Sequence, residues 1–139
     1  MMHLSSLLEM IGRFALAVGL GAGIGFQRER AGKAAGLRTH ILVSSGAALF
    51  TLVSIYGFSG AAVVDISRVA AGVVVGIGFI GAGVILRGQR EKEVAGLTTA
   101  ATIWLTAAVG LAAGAGMYLI SLIATAVTVG VLFLPKVRG

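Results

Sequence analysis

The chain of 139 residues has no cysteine and a single proline. Without thiols it can form no disulfide, no thiolate metal site and no Cys nucleophile. Charge is scarce as well. Asp, Glu, Lys and Arg make up 12% of the residues, against ~25% in an ordinary soluble domain. The acids are Glu9, Glu29, Asp65, Glu91 and Glu93, and the histidines are His3 and His40. No HExxH motif falls in an apolar segment and both histidines sit at segment ends, so the chain does not read as an enzyme. Net charge is +6, but there is no basic stripe interleaved with aromatics, which excludes a nucleic-acid-binding reading.

Apolar residues fill the space that charge leaves. They account for 58% of the chain, with 22 glycines and a mean hydropathy of +1.03. That composition reads as a polytopic membrane protein whose glycines let helices approach closely in lipid. The organising stretch is Asp65 to Arg87. Its uninterrupted apolar run from Val69 to Leu86 would span about 27 Å as a helix, close to a hydrocarbon core of ~30 Å. Gly76, Gly78 and Gly81 spell G-x-G-x-x-G, but the apolar run continues through them and no ribose-binding acid follows about 20 residues on, so a dinucleotide site is not supported. Gly72, Gly76 and Gly83 share one face, with Gly78 and Gly81 opposite. Glycine on both sides predicts a helix in the middle of the bundle.

The pattern predicts an all-α bundle of five transmembrane helices at about 7–26, 39–56, 68–86, 97–111 and 117–134, forming one domain over 1–139 with no soluble carboxy-terminal domain. In the first helix Glu9 and Arg13 form an i,i+4 pair in the favourable order. Ala15 to Ala17 loosely matches a leader-cleavage site, but the ladder Gly19, Gly21, Gly23, Gly25 continues the helix with a smooth packing face. Gln27 to Arg38 reads as a basic loop. His40 opens the second helix as an interfacial hydrogen-bonder. Asp65 or Ser67 caps the third helix, and Asp65 and Arg68 can pair. Arg87 to Val94 is a second charged loop. In the fourth helix Thr98, Thr102 and Thr106 form a hydroxyl stripe, with Trp104 on another face. The stripe suits either interhelical hydrogen bonding or a polar lining.

Five spans place the termini on opposite sides. With the amino terminus outside, nine of the eleven basic residues fall inside: Arg28, Arg30, Lys33, Arg38, Arg87, Arg90, Lys92, Lys136 and Arg138. This bias favours a cytoplasmic carboxy terminus.

Five ordered segments carry a resemblance: Ile24-Gly-Phe-Gln-Arg-Glu-Arg, Ala35-Gly-Leu-Arg-Thr-His, Gly46-Ala-Ala-Leu-Phe, Gly76-Ile-Gly-Phe-Ile-Gly-Ala-Gly-Val-Ile and Gly96-Leu-Thr-Thr-Ala-Ala-Thr-Ile-Trp. Over about positions 7 to 134 the chain resembles the MgtC/SapB family of bacterial inner-membrane proteins. The resemblance implies a role in growth at low magnesium and, in pathogens, in survival inside macrophages. The family was first described as candidate magnesium transporters. For its virulence members it implies a regulator that binds other membrane proteins, including the proton-conducting part of the ATP synthase. The matching motifs carry over Glu29, Arg30, Arg38 with Thr39, Asp65 with Arg68, and Thr98 with Thr99; Thr102 joins them as a partner or ion contact. Ile66 stands where the family often has Pro. Gly72 and Val75 stand where it often has polar residues, which argues against a polar pathway along the third helix.

Two functions compete. A non-enzymatic regulator in contact with other membrane proteins needs a packed bundle and a surface. A magnesium transporter needs oxygen ligands, usually one or two carboxylates with retained waters, and no acid lies mid-helix. No cofactor is expected, with magnesium as a transported or sensed ion. Gly19-x-x-x-Gly23 and Gly72-x-x-x-Gly76 point to a homodimer. Gly19, Gly23, Gly72, Gly76, Gly78, Gly81, Gly83 and Trp104 are the expected helix-packing positions. Glu29, Arg30 and Arg38 are expected to form a salt-bridge network holding the first two helices.

Overall fold

A computed structural model describes residues 3–87 and 96–135. Among them the regular elements are five helices: α1 (Leu4–Arg30), α2 (Leu37–Tyr56), α3 (Ser67–Arg87), α4 (Leu97–Gly114) and α5 (Tyr118–Leu132). The first four are long and apolar enough to cross a membrane, with α3 counted from Ser67 to Leu86. At 15 residues, α5 reaches only about 22 Å. The chain is an all-α, multi-pass membrane protein. Arg90, Glu91, Lys92 and Glu93 of the second charged loop, together with Lys136 and Arg138, lie outside the described residues.

The helix ends depart from the sequence reading where polar or small residues are good helix formers. Gln27 to Arg30, expected in a loop, complete the last turn of α1, since Gln, Arg and Glu all favour helix. Ala112 to Gly114, expected in a turn, extend α4. The helix stops at Gly116, whose φ of +81° is left-handed, and the Met117 N–H donates to the Ala112 carbonyl at 2.9 Å.

The centre of the bundle is α4, which packs against α1, α2, α3 and α5. This corrects the expected central position of α3. That helix sits at the edge against α4 and α2, with Ile77 the one buried residue from Ser67 to Leu86 and Phe79 79% exposed. The reason is physical. Lipid is as apolar as a protein core, so Val, Ile and Phe gain little from being inside. The interior goes to helices with small and hydroxyl side chains, which pack closely and satisfy their own polar groups. On α2 the buried residues are His40, Ser44, Ala47, Ala48, Thr51, Leu52 and Ser54.

Four glycines set the closest approaches between helices. A Cβ on Gly21 would lie 2.6 Å from the His40 carbonyl oxygen, and one on Gly25 would lie 2.8 Å from the Leu37 Cα. A Cβ on Gly110 would meet the Ser44 backbone, and one on Gly114 would lie 2.8 Å from the Ala48 carbonyl oxygen. These approaches run α1 antiparallel to α2, and α4 parallel to α2. One end of the bundle therefore collects the carboxy terminus of α1 and the amino termini of α2 and α4. A Cβ added at Gly19, Gly23, Gly72, Gly76, Gly78 or Gly83 would meet no neighbouring atom within 4 Å, and one at Gly81 would lie 3.6 Å from the Ala100 Cβ, an ordinary contact. Trp104 faces outward at 53% exposure.

Candidate functional site

The buried face of α1 reads Ala17, Leu20, Gly21, Ile24, Gly25 and Arg28. A helix period carries this apolar stripe directly onto a guanidinium. Arg28 is only 3% exposed, and its Nη2 donates to Thr99 Oγ1 at 2.8 Å. Thr99 lies in the first turn of α4. The Arg28 Nε has no hydrogen-bond partner. His40 is fully buried on the α2 face that covers Gly21 and Gly25, with its Nδ1 2.8 Å from the Gly36 carbonyl oxygen. Its Nε2 and the nearby Ser44 Oγ are both unpartnered. Beyond them along α4, Thr102 donates to the Thr98 carbonyl at 2.6 Å and Thr106 donates to the Thr102 carbonyl at 2.7 Å. The hydroxyl stripe thus satisfies itself within α4 rather than bridging helices.

Beside this cluster Glu29 Oε2 accepts a hydrogen bond from the Leu37 backbone N–H at 2.7 Å. It caps α2 from α1, at the end where a carboxylate complements the helix dipole. Gly36 leaves the room this needs, because a Cβ there would collide with the Glu29 carboxylate. Among the described residues Glu29 makes no ion pair with Arg30 or Arg38, so the expected salt-bridge network is replaced by this cap. Arg30 is exposed, with its guanidinium 5.6 Å from the Phe26 ring centre. Arg38 is exposed and Thr39 half-buried. Thr98 is exposed, while Thr99 and Thr102 are buried. Of the residues singled out from sequence, Glu29, Arg30, Arg38, Thr39, Thr98, Thr99 and Thr102 lie toward this end, and among them Glu29 and Thr99 make hydrogen bonds to another helix, with the Leu37 N–H and Arg28 respectively.

Asp65 and Arg68 lie elsewhere. Ser54 Oγ donates to the Ile66 carbonyl at 3.0 Å, which holds the start of α3 at the opposite end of the bundle. Both charges are exposed and sit 3.7 Å apart. Asp65 Oδ1 accepts from the hydroxyl and the backbone N–H of Ser67, capping α3. These hydrogen bonds, the hydroxyl's first, hold its carboxyl below the usual carboxylate range. At the same end Arg13 forms the expected pair with Glu9. Its Nη1 also donates to the Gly114 carbonyl at 3.1 Å and its Nε to the Tyr118 hydroxyl at 3.2 Å. The Tyr56 ring centre lies 5.8 Å away. Arg13 therefore ties α1 to α2, α4 and α5.

The sequence reading missed Arg28 as a buried residue, along with Gly110 and Gly114 as contact glycines, and of the ladder Gly19, Gly21, Gly23, Gly25 only Gly21 and Gly25 meet α2. A signal was present, since Gly21, Gly25 and Arg28 recur at i, i+4 and i+7. No spacing in the sequence would have revealed the partners on α2 and α4.

The MgtC family profile matches residues 14–138. The chain is 48% identical over 129 residues to the Escherichia coli K12 protein named "Putative magnesium transporter YhiD", covering 89% of this chain and 59% of that protein. It is 48% identical over 122 residues to SrpB of Synechococcus elongatus, covering 81% and 67%. It is 46% identical over 114 residues to MgtC of Brucella abortus, covering 81% and 45%. The chain thus spans roughly half to two thirds of these relatives' length. No solved structure matches it.

Proposed function

The chain belongs to the MgtC family, and from that premise we propose that it is a bacterial inner-membrane protein of magnesium homeostasis. In this reading it acts as a non-enzymatic regulator that binds other membrane proteins, the proton-conducting part of the ATP synthase among them. The observation that carries the reading is the buried Arg28. A magnesium ion moving through the interior of one chain would pass a buried guanidinium, and like charges in a low-dielectric interior repel strongly. Regulation by contact needs only a surface, and α3 supplies one. Its exposed Val74, Val75, Phe79 and Ile80 stand beside Gly72 and Gly76, where a second helix can approach closely. That same face would serve a homodimer. The charge bias supports placing the Arg28 end at the cytoplasm and the amino terminus outside.

Magnesium transport is the second reading, favoured by the name given to YhiD. It would require a route between copies of the chain rather than through one.

Photo-cross-linking in the native membrane separates surface from core. A cross-linker at Val75 (66% exposed) is expected to capture other membrane proteins in cells grown at low magnesium, whereas one at Ile103 (1% exposed) captures none. Lipid adducts alone from Val75 would remove the support for a regulator acting through α3.

A further inference from the structure

We propose that Arg28 and the amino terminus of α4 form a binding site for a phosphate group. Arg28 is almost completely buried, yet among the described residues its only hydrogen bond is to the neutral hydroxyl of Thr99. Its Nε remains unpartnered. The carboxy terminus of α1 favours a cation there, but the amino terminus of α4, with no side-chain cap, presents a second positive pole at Thr99. The two helix ends act on the guanidinium in opposite senses, and among the described residues no acid pairs with it. The one acid described at this end, Glu29, is already engaged with the Leu37 N–H. Arg30, Lys33 and Arg38 are exposed at the same end and add further positive charge. The unpartnered Nε2 of buried His40 offers one more polar atom on the adjoining face.

A guanidinium fork beside free helix amides is the chemistry that recognises phosphate, which takes two parallel N–H donors and favours the positive helix end. One phosphate oxygen would take the free Nε of Arg28, and another the first-turn amides of α4. The group can come from a phospholipid headgroup or from free phosphate.

The test is thermal unfolding of the detergent-purified full chain. One arm adds inorganic phosphate against chloride at matched ionic strength. The other adds short-chain phosphatidic acid against a fatty acid, an anionic amphiphile without phosphate. The wild type and Arg68→Gln, a charge removed at the opposite end of the bundle, are expected to melt about 9 °C higher at a hundredfold excess over Kd in at least one phosphate arm. The responding arm identifies the source. Arg28→Gln loses the shift and Arg28→Lys keeps part of it. The proposal is overturned by an unchanged wild-type melt in both phosphate arms, by an equal shift with the fatty acid, or by an equal shift in Arg28→Gln. The wild-type result stands even if Arg28→Gln does not fold.

Discussion

Replacing Gly110 by Ala should split α2 from α4. The added Cβ would lie 2.7 Å from the Ser44 carbonyl carbon and 2.8 Å from its Cα, where ordinary contact begins at 3.4 Å. Both atoms belong to backbone, so no side chain can swing away. The Ser44 carbonyl oxygen would be closer still, so the two helices must part by roughly 1 Å, and a gap of that size forfeits up to about half of each dispersion contact along the seam. Overpacking of this kind costs about 1–3 kcal/mol. The better helix propensity of Ala returns about 1 kcal/mol, and α4, as the hub, transmits the shift to three other helices. Because the clash is with rigid backbone, the upper end of that cost applies, and the net expectation is a loss of about 2 kcal/mol. The comparison is Gly72→Ala, where open space surrounds the new methyl. That variant should be neutral or more stable by up to ~1 kcal/mol. Reversible unfolding in mixed micelles measures both. A Gly110→Ala protein within about 0.5 kcal/mol of wild type, or a Gly72→Ala protein equally damaged, would refute the packing assignment.

Tyr118→Phe removes the hydroxyl that receives the Arg13 Nε–H and should lower stability by about 1 kcal/mol, read in the same unfolding assay; Arg13→Gln, which frees all four helices, should do more harm. Glu29→Ala uncaps α2 and is expected to lose about 1 kcal/mol. At equal membrane abundance it should also impair growth at low magnesium more than Glu93→Ala does; equal growth of the two would count against Glu29. Asp65 has a depressed carboxyl pKa, so its cap on α3 is intact above the ordinary carboxylate range and is lost as pH falls through the lowered value. Amide exchange at Ser67 to Val69, corrected for its intrinsic rate, should therefore quicken on acidification, and an Asp65→Asn protein should lack that step.

The five-helix fold was legible because apolar runs separated by charge leave few alternatives in a 139-residue chain. The Glu9–Arg13 and Asp65–Arg68 pairs were legible because helix spacing alone fixes them. The rank of the helices was not. The glycines of α3 invited a central placement, but a glycine stripe packs equally well on another molecule, while Gly21, Gly25, Gly110 and Gly114 looked no different in sequence. Arg28 was hidden among the four basic residues of Gln27 to Arg38. Its burial depends on α1 continuing through Arg30 and on Thr99 arriving from a distant helix. Glu29 was expected in a salt-bridge network with Arg30 and Arg38. Its actual partner is a backbone amide, which no side-chain pattern announces.

Magnesium flux into liposomes holding the purified, folded chain tests the central claim most directly. With empty liposomes and an Asp65→Ala protein as controls, a regulator whose interior carries Arg28 should admit no more magnesium than empty liposomes do. Saturable uptake above that background would contradict the account, and its loss in Asp65→Ala would place that acid on the route.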